Sequence, residues 1–259
     1  MKYAIMEQQD HICTVTINFP EKLNAVSTAV LTDVNEAFDK IAADKEIYCV
    51  ILKGAGEKAF IGGADIKEMK DFDFQTAKEY SVFGSMVLNK IHECRCPVIA
   101  QIQGYCLGGG LEVAIACDIR IASDNSKFSQ PEVSLGIMTG TGGSQRLQKL
   151  IGEGKAKELL LVGNTIDAQE AYKIGLLNHV VTIAELPETV LKMAQKIARN
   201  APIAVATMKR AMNVAAETDY KTGNEHVNLS FGSLFTTQDA HDALSAFVNK
   251  EKLEGFHNR

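Results

Sequence analysis

One stretch, residues 104–123, constrains the fold of this chain more than any other. It reads GYCLGGGLEVAIACDIRIAS and follows the strand-like segment PVIAQIQG. A glycine triplet joins that segment to a helix-like one, LEVAIACD, and a second strand-like segment, IRIAS, comes next. Glycine has no Cβ, so the triplet lets the chain turn sharply between strand and helix. The succession of strand, helix and strand predicts an α/β protein.

The first half of the chain continues this alternation of strands and helices. Segment 11–20 alternates apolar residues with threonines and ends in proline, which predicts a strand. Segment 47–56, IYCVILKGAG, predicts a buried strand that stops at its glycines. Apolar residues at helical spacing predict amphipathic helices over about 27–42 and 76–93.

The second half of the chain has a different, mostly helical pattern. From about Gln145 the sequence is mostly helical, and after Pro202 two or three further helices are expected with almost no strand signal. We place a boundary near residue 200, between a core of residues 1–200 and a helical region of residues 201–259. Because the second region is too small to form a core of its own, we expect it to pack on the main body or on a neighbouring subunit.

Composition limits the classes of function. Hydrophobic residues make up 46% of the chain and charged residues 23%, as in ordinary globular proteins. The net charge of −5 argues against a nucleic-acid partner, which usually requires a basic surface. The sequence shows neither a signal-peptide pattern nor an apolar run of the ~20 residues that a membrane span needs. We therefore expect a cytoplasmic protein that binds neither nucleic acid nor membrane.

Cysteines and histidines do not form a recognisable metal or nucleophile pattern. The six cysteines are scattered, and the Cys94-Arg-Cys96 spacing is too tight for a usual zinc site. The histidines lack ligand spacing, and the chain has no G-x-S-x-G nucleophile motif. The GEGK segment at 152–155 does not match a phosphate-binding P-loop. We expect reduced thiols and no metal site.

Two glutamates, Glu112 and Glu132, stand among apolar or small residues, where a buried carboxylate is costly. Two nearby carboxylates in a dry pocket do not both ionise easily, so their pKa values separate and one can act as acid and the other as base. The glycine triplet at 108–110 is either a plain tight turn or a site where backbone N–H groups bind a developing oxyanion. A second such turn, Gly62-Gly63-Ala64, precedes Asp65, which is typical of a helix N-cap.

Taken together, these segments resemble one known family. The segments AFIGGADIKEM, GYCLGGGLEVAIACDIRIAS, FSQPEVSLGI and GTGGSQRL are similar, in order and spacing, to signatures of the crotonase (enoyl-CoA hydratase) superfamily. FPEKLNAVS near the start and DALSAFVNKEKLEGF near the end also fit, so the resemblance covers essentially the whole chain. It implies a crotonase fold, an α/β spiral of ββα units followed by a C-terminal helical trimerisation region. A homo-oligomer is implied as well, either a trimer or a dimer of trimers.

The resemblance also implies a reaction. The substrate would be an acyl-CoA thioester, namely a short-chain trans-2-enoyl-CoA such as crotonyl-CoA, and water would add to it reversibly and in syn fashion. The backbone N–H groups of Ala64 and Gly109 would form the oxyanion hole. Glu112 would orient and deprotonate the water, while Glu132 would protonate C2. No cofactor is implied, because coenzyme A is part of the substrate.

Further residues are implied to bind the substrate and its coenzyme A portion. They are Lys22, Leu23, Ala25, Ala64, Asp65, Ile66, Lys67, Gly109, Gly140 and Lys252, with Lys250 as an alternative to Lys252. The chain departs from the family pattern at two places: Thr139 stands where proline is usual, and Ser129 where many relatives have glycine. Either change could reshape the acyl pocket or loosen the loop beside the catalytic water.

Alternative functions share much of this pattern. A hydratase acting on a branched, cyclic or dienoyl-CoA, or a crotonase-type isomerase, would carry the same motifs. Isomerases of this type usually keep one of the two acids, so the presence of both Glu112 and Glu132 favours a hydratase. A non-catalytic scaffold or an RNA-binding relative is disfavoured by the intact acid pair and the acidic net charge.

Overall fold

The computed structural model describes residues 1–259 as an α/β fold with two sheets. The larger sheet has six strands in the order β1-β2-β3-β5-β7-β10, and the smaller has four in the order β4-β6-β8-β9. The strands are β1 (Ala4–Gln9), β2 (Ile12–Ile17), β3 (Cys49–Gly54), β4 (Ala59–Ile61), β5 (Val98–Ile102), β6 (Tyr105–Leu107), β7 (Ile119–Ser123), β8 (Lys127–Ser129), β9 (Ile166–Asp167) and β10 (His179–Val181).

Helices follow the strands and then fill the C-terminal part. They are α1 (Thr28–Ala43), α2 (Ile66–Met69), α3 (Phe74–His92), α4 (Gly109–Ala116), α5 (Gly143–Ile151), α6 (Glu153–Val162), α7 (Ala168–Lys173), α8 (Leu186–Ala198), α9 (Pro202–Glu217), α10 (Tyr220–Leu234) and α11 (Gln238–Asn249). Two short 3-10 helices span Pro20–Lys22 and Glu132–Leu135.

A repeated unit explains how the two sheets are connected. Each unit has one strand in the large sheet, one in the small sheet and then a helical segment: β3-β4-α2, β5-β6-α4 and β7-β8 with the Glu132–Leu135 helix. Strands β3, β5 and β7 are parallel neighbours, and so are β4, β6 and β8. The predicted spiral of ββα units is confirmed.

The core lies beneath these units. The largest cluster contains 40 buried residues and includes Phe38, Phe60 and Phe128, each at most 1% exposed. The parallel strands β3 and β5 are nearly continuous apolar runs because elements cover both of their faces. A smaller cluster of eight residues lies between α8 and the large sheet, with Val190 fully buried.

The long elements predicted from the sequence are present. The helix predicted over 27–42 is α1, whose N-cap Ser27 accepts a hydrogen bond from Val30. The helix predicted over 76–93 is α3, which begins two residues earlier behind the N-cap Asp73. The strands β6, β8, β9 and β10 were not predicted, because runs of two or three residues are too short to show alternation.

The chain after residue 200 forms three helices, α9 to α11, as the sequence predicts. Helix α9 contacts the core through the buried Lys209, which bonds the Asp118 carboxylate at 2.6 Å and the Cys96 carbonyl at 3.1 Å. Large apolar side chains of α10 and α11, including Phe231 and Phe247, are exposed. The boundary at residue 200 stays a prediction. None of the helices is both long and apolar enough to cross a membrane.

Candidate active site

Glu112 lies in the first half of α4 and is buried. Its Oε1 accepts hydrogen bonds from the backbone N–H groups of Thr141 and Gly143, at 2.7 and 2.8 Å. Because Gly143 is the first residue of α5, the carboxylate also faces the positive end of that helix. Both interactions fix the position of this side chain, since hydrogen bonds to a carboxylate are short and strong.

The loop that holds Glu112 is tightly packed. A Cβ atom on Gly143 would lie 3.0 Å from Glu112 Oε1 and 2.9 Å from Thr139 Cβ, so glycine is needed for this approach. Thr139 is buried, and its Oγ1 accepts a hydrogen bond from the Ser144 N–H at 3.1 Å. Its hydroxyl therefore caps the first turn of α5, and the departure from proline does not leave this turn uncapped.

Glu132 has a different environment from Glu112. It begins the Glu132–Leu135 helix, and burial raises the pKa of its carboxyl group to about 7, with a smaller contribution from the charge of Glu112. The side-chain amide of the buried Gln130 lies against this carboxyl group, with one terminal atom 2.8 and 3.1 Å from the two Glu132 oxygens. A Cβ on Gly108 would lie 3.1 Å from Glu132 Oε1. A carboxyl group that titrates near neutral pH can deliver a proton.

The two glycine turns meet beside these carboxylates. A Cβ on Gly109 would lie 3.6 Å from the Ala64 nitrogen, and neither residue's N–H has an acceptor within the chain. A Cβ on Gly110 would lie only 2.2 Å from the Ile61 carbonyl oxygen, so glycine is what lets α4 pack directly on β4. The structure thus brings together two free backbone donors, as the sequence predicts for an oxyanion site.

The turn that carries Ala64 is held by the early loop around residues 22–26. Three backbone hydrogen bonds of 2.8 Å join the two segments: Gly62 to Leu23, Val26 to Gly63 and Asp65 to Val26, donor first. The residues of the two segments that were predicted to bind substrate therefore form one continuous surface at the edge of the small sheet. They are Lys22, Leu23, Ala25, Ala64, Asp65, Ile66 and Lys67.

Asn24 organises this loop, and the sequence reasoning missed it. The residue is fully buried, and its amide nitrogen lies 2.9 to 3.2 Å from the carbonyl oxygens of Ala55, Ala59 and Phe60. Leu23 and Asn24 both adopt left-handed backbone conformations, with φ of 54° and 58°. Asparagine tolerates that conformation, which was the available signal; its long-range partners were not visible in the sequence.

The residues predicted to bind coenzyme A lie largely beside this loop. Lys22 pairs with Asp65 at 2.6 Å, and this bond is the main cause that lowers the pKa of the Asp65 carboxyl group. Asp65 also caps α2 by accepting from the Lys67 N–H. Ile66 and Lys67 are exposed, and Ala25 is half-buried. These side chains leave an accessible cationic and apolar surface next to the free Ala64 N–H.

Gly140 and Lys252 complete the predicted set. The Gly140 carbonyl accepts a hydrogen bond from the Ser81 hydroxyl of α3, and its N–H has no acceptor within the chain. Lys252 lies exposed after α11, in a tail whose Asn258 amide bonds the Lys45 carbonyl at 2.8 Å. Within one chain Lys252 has no hydrogen bond or ion pair to the other predicted residues, and its role stays a prediction.

This arrangement suits a particular kind of chemistry. The free N–H groups can stabilise negative charge on a carbonyl oxygen. Beside them stand a carboxylate that is held by backbone donors and a carboxyl group that titrates near pH 7. Such a site can polarise a carbonyl compound and move protons at the neighbouring carbons.

Comparison with known proteins agrees with this geometry. The family described as "Enoyl-CoA hydratase/isomerase" matches residues 7–257. A relative named short-chain-enoyl-CoA hydratase, from Clostridium acetobutylicum, is 44% identical over 99% of this chain and 98% of its own. Another, named crotonyl-CoA hydratase, from Syntrophomonas wolfei, is 39% identical over 96% of this chain and 95% of its own.

Solved structures share the fold over the full length. An enoyl-CoA hydratase structure from Geobacillus kaustophilus has a TM-score of 0.97 and 34% identity, covering 100% of this chain and 98% of its own. One from Bacillus anthracis has a TM-score of 0.95 and 34% identity, covering 99% and 100%. Since the sequence match, the fold and the paired glycine turns all agree, the chain belongs to the enoyl-CoA hydratase/isomerase family.

Proposed function

We propose that this protein catalyses the reversible hydration of a short-chain trans-2-enoyl-CoA to a 3-hydroxyacyl-CoA. The observation that carries the proposal is the pair of unlike glutamates, Glu112 and Glu132, beside the free N–H groups of Ala64 and Gly109. The names of the relatives from Clostridium acetobutylicum and Syntrophomonas wolfei, which specify short-chain and crotonyl substrates, support the choice of acyl group.

In the proposed mechanism, the thioester oxygen accepts hydrogen bonds from Ala64 and Gly109. These donors draw electron density from the conjugated double bond onto the oxygen, which makes C3 electrophilic. Each such donor is worth roughly 3–4 kcal/mol of barrier reduction. The oxygen carries most charge in the enolate-like transition state, so the donors act more strongly there than on the bound substrate.

The two glutamates divide the proton transfers. Glu112 accepts a proton from the water as its oxygen bonds to C3, and Glu132 gives its proton to C2. One proton enters the pair and one leaves, so the singly protonated pair is regenerated with the proton on the other carboxylate. The Gly140 N–H, free within the chain, is available to the water.

The coenzyme A portion would lie along the loop around residues 22–26 and the start of α2. Leu23, Ala25 and Ile66 offer apolar contacts, and Lys22, Lys67 and Lys252 offer cations to the phosphates. Asp65 positions Lys22 through their 2.6 Å ion pair. Coenzyme A enters as part of the substrate, so the proposed reaction uses no separate cofactor.

A direct assay tests the proposal. Purified protein is mixed with trans-2-enoyl-CoA substrates of increasing chain length, and the ultraviolet absorbance of the conjugated thioester is followed. We expect the absorbance to fall fastest with the four-carbon substrate. A preference for branched, cyclic or dienoyl substrates would overturn the acyl assignment, and activity on none would overturn the hydratase itself.

A second assay, with a 3-enoyl-CoA substrate, tests the isomerase alternative. A 3-enoyl-CoA substrate lacks the conjugated thioester, so isomerisation makes the absorbance rise. We expect hydration of the 2-enoyl substrate to be the faster reaction, because both glutamates are present. The reverse ranking would favour an isomerase, and an inactive protein that binds RNA would favour the scaffold alternative.

We also propose that the protein is a homo-oligomer, a trimer or a dimer of trimers, located in the cytoplasm. Exposed apolar side chains on α10 and α11, among them Leu229, Phe231 and Phe247, support association of copies. All six cysteines are free thiols, which is typical of a reducing compartment. Sedimentation equilibrium tests the assembly; a monomer at assay concentration would contradict it.

A further inference from the structure

Arg146 is a half-buried cation behind the proposed catalytic loop, with no role in the mechanism so far. It lies one turn into α5, and its Nη1 donates to the Thr141 carbonyl at 3.0 Å. Its Nη2 donates to the Asn89 side-chain oxygen on α3 at 2.5 Å. One guanidinium therefore joins α3, α5 and the loop between Thr139 and Gly143.

Arg146 bonds Thr141, and Thr141 in turn bonds Glu112. Thr141 donates its N–H to Glu112 Oε1 at 2.7 Å while its carbonyl accepts from Arg146. The guanidinium also passes directly over Gly142, where a Cβ would lie 2.3 Å from Nη1. Gly142 has a φ of 100°, so its backbone conformation favours glycine, and the absence of a side chain leaves room for the guanidinium.

The charge of Arg146 supports the same link to Glu112 as the hydrogen bonds do. Burial lowers the pKa of the Arg146 guanidinium, and the negative charge of Glu112 opposes this effect more than that of Glu217 or Glu93. An arginine side chain stays protonated in proteins, so it supplies a permanent positive charge near Glu112.

Helix α3 supports the same loop at two further points. The Ser81 hydroxyl donates to the Gly140 carbonyl, and a Cβ on Gly84 would lie 2.5 Å from Thr141 Cγ2. Asn89, the partner of Arg146, follows on the same helix. The loop is thus pressed between α3 and α5, and Arg146 is the hydrogen-bonding link between them.

We infer that Arg146 is a positioning residue, which fixes the Thr141 and Gly143 N–H groups so that the Glu112 carboxylate is oriented toward the water that attacks C3. The inference rests on the proposed hydratase function. Because Arg146 acts through the loop, its loss should slow the chemical step and leave coenzyme A binding intact. Misplacing a reacting group by about 1 Å can cost on the order of 100-fold in rate.

The test compares Arg146→Gln, Arg146→Lys and Asn89→Ala with the wild-type protein on crotonyl-CoA. We expect Arg146→Gln to lower kcat by about 10- to 100-fold with KM nearly unchanged, since the lost interaction serves the transition state. Arg146→Lys keeps the charge but not the two-sided bonding, so it should retain intermediate activity. Asn89→Ala removes one partner and should give a smaller loss.

Chemical rescue separates positioning from a merely structural role. A cavity of about 1310 Å³, lined in part by Asn89, Thr141 and Arg146, gives small solutes access to the vacated space. Guanidinium ion at concentrations below those that unfold the protein should restore part of the kcat of Arg146→Gln and leave Lys149→Gln, the control, unaffected. Lys149 is an exposed cation on the same helix, and its substitution should leave activity unchanged.

Each result decides the inference. A wild-type kcat in Arg146→Gln overturns it, and so does a rise in KM with unchanged kcat or a loss that guanidinium does not rescue. If Arg146→Gln does not fold, the kcat of Asn89→Ala decides: a loss with unchanged KM supports the inference, and a wild-type value overturns it. A wild-type protein without hydratase activity overturns the proposed function itself, and this inference with it.

Discussion

At the scale of single residues, the site depends on two glutamate side chains, Glu112 and Glu132, that have different surroundings. Glu112 accepts two backbone hydrogen bonds at the start of α5, whereas burial raises the pKa of Glu132 to about 7. Desolvation favours the neutral form of Glu132. Glu112 instead has its Oε1 held by backbone donors, so one pocket gives the two glutamates different surroundings, as an acid and a base in the same site require.

The pKa of Glu132 sets a pH dependence. Because this pKa is raised, the proton that Glu132 delivers is present below about pH 7 and is lost above it. We expect kcat/KM for hydration to fall as the pH rises through about 7. Dehydration starts from the same singly protonated pair, so its kcat/KM should fall by the same factor. Rates measured in both directions from pH 5 to pH 9, a range of roughly two units about this value, check it.

The Glu132→Gln variant is the control for that profile. It preserves shape but carries no transferable proton, so we expect kcat to fall by about 100-fold or more. The residual activity should lack the decline near neutral pH. A variant that retains the decline would assign the titration to another group.

Sequence reasoning identified the residues that lie in motifs but not their hydrogen-bond partners. The resemblance identified Glu112, Glu132, Ala64 and Gly109, because they lie in contiguous motifs. The partners of Glu112 are 29 and 31 residues away, and the carbonyl oxygens that the Asn24 amide nitrogen bonds are 31 to 36 residues away. Such contacts are made by the fold, so the chain's local pattern carries no record of them.

At the scale of elements, close approach of backbones determines the site. Helix α4 packs on β4 with no room for a side chain at Gly110. The Ala64 and Gly109 N–H groups follow β4 and begin α4, so this contact sets their separation. Helix and strand types were predictable from periodicity in the long elements, but this spacing depends on a glycine whose neighbour lies 49 residues earlier in the chain.

Substitution of this glycine tests the contact. We expect Gly110→Ala to destabilise the fold by about 1–3 kcal/mol through overpacking and to lower kcat as the two donors separate. Gly154→Ala is the matched control: it is also in a helix, but a Cβ there meets no atom within 4 Å. That change should stabilise by up to ~1 kcal/mol. Urea unfolding followed by circular dichroism measures both, and equal effects would contradict the packing argument.

At the scale of the whole molecule, a buried ion pair attaches the C-terminal helices to the core. The Lys209 side chain is 8% exposed and that of Asp118 is 21% exposed, and Asp118 also accepts from the Val98 N–H at 2.7 Å. The predicted packing of the C-terminal region on the main body is thus present for α9. Its anchor is a lysine inside an otherwise amphipathic helix, which the sequence pattern did not distinguish from a surface residue.

Removing the lysine should weaken that attachment. We expect Lys209→Met to lower the free energy of unfolding by about 3 kcal/mol, because it leaves the Asp118 carboxylate without its cation. The control is Lys192→Met, which removes an exposed pair with Glu188 on α8 and should cost at most ~0.5 kcal/mol. Urea denaturation distinguishes them. Equal losses would mean that burial adds nothing to the Lys209 pair.

The order of strands β4, β6 and β8 in the small sheet has a consequence for how such a chain can diverge. Ala64, then Gly109 with Glu112, then Glu132 each follow one of these neighbouring strands. Neighbouring strands are about 4.8 Å apart wherever their main chains are hydrogen-bonded. The spacing between the chain segments that carry the reacting groups is therefore set by the main-chain hydrogen bonds of this sheet, and exposed side chains can be replaced without changing it. Insertions in the crossovers that leave these hydrogen bonds intact also leave the spacing unchanged, so surface and chemistry can evolve separately.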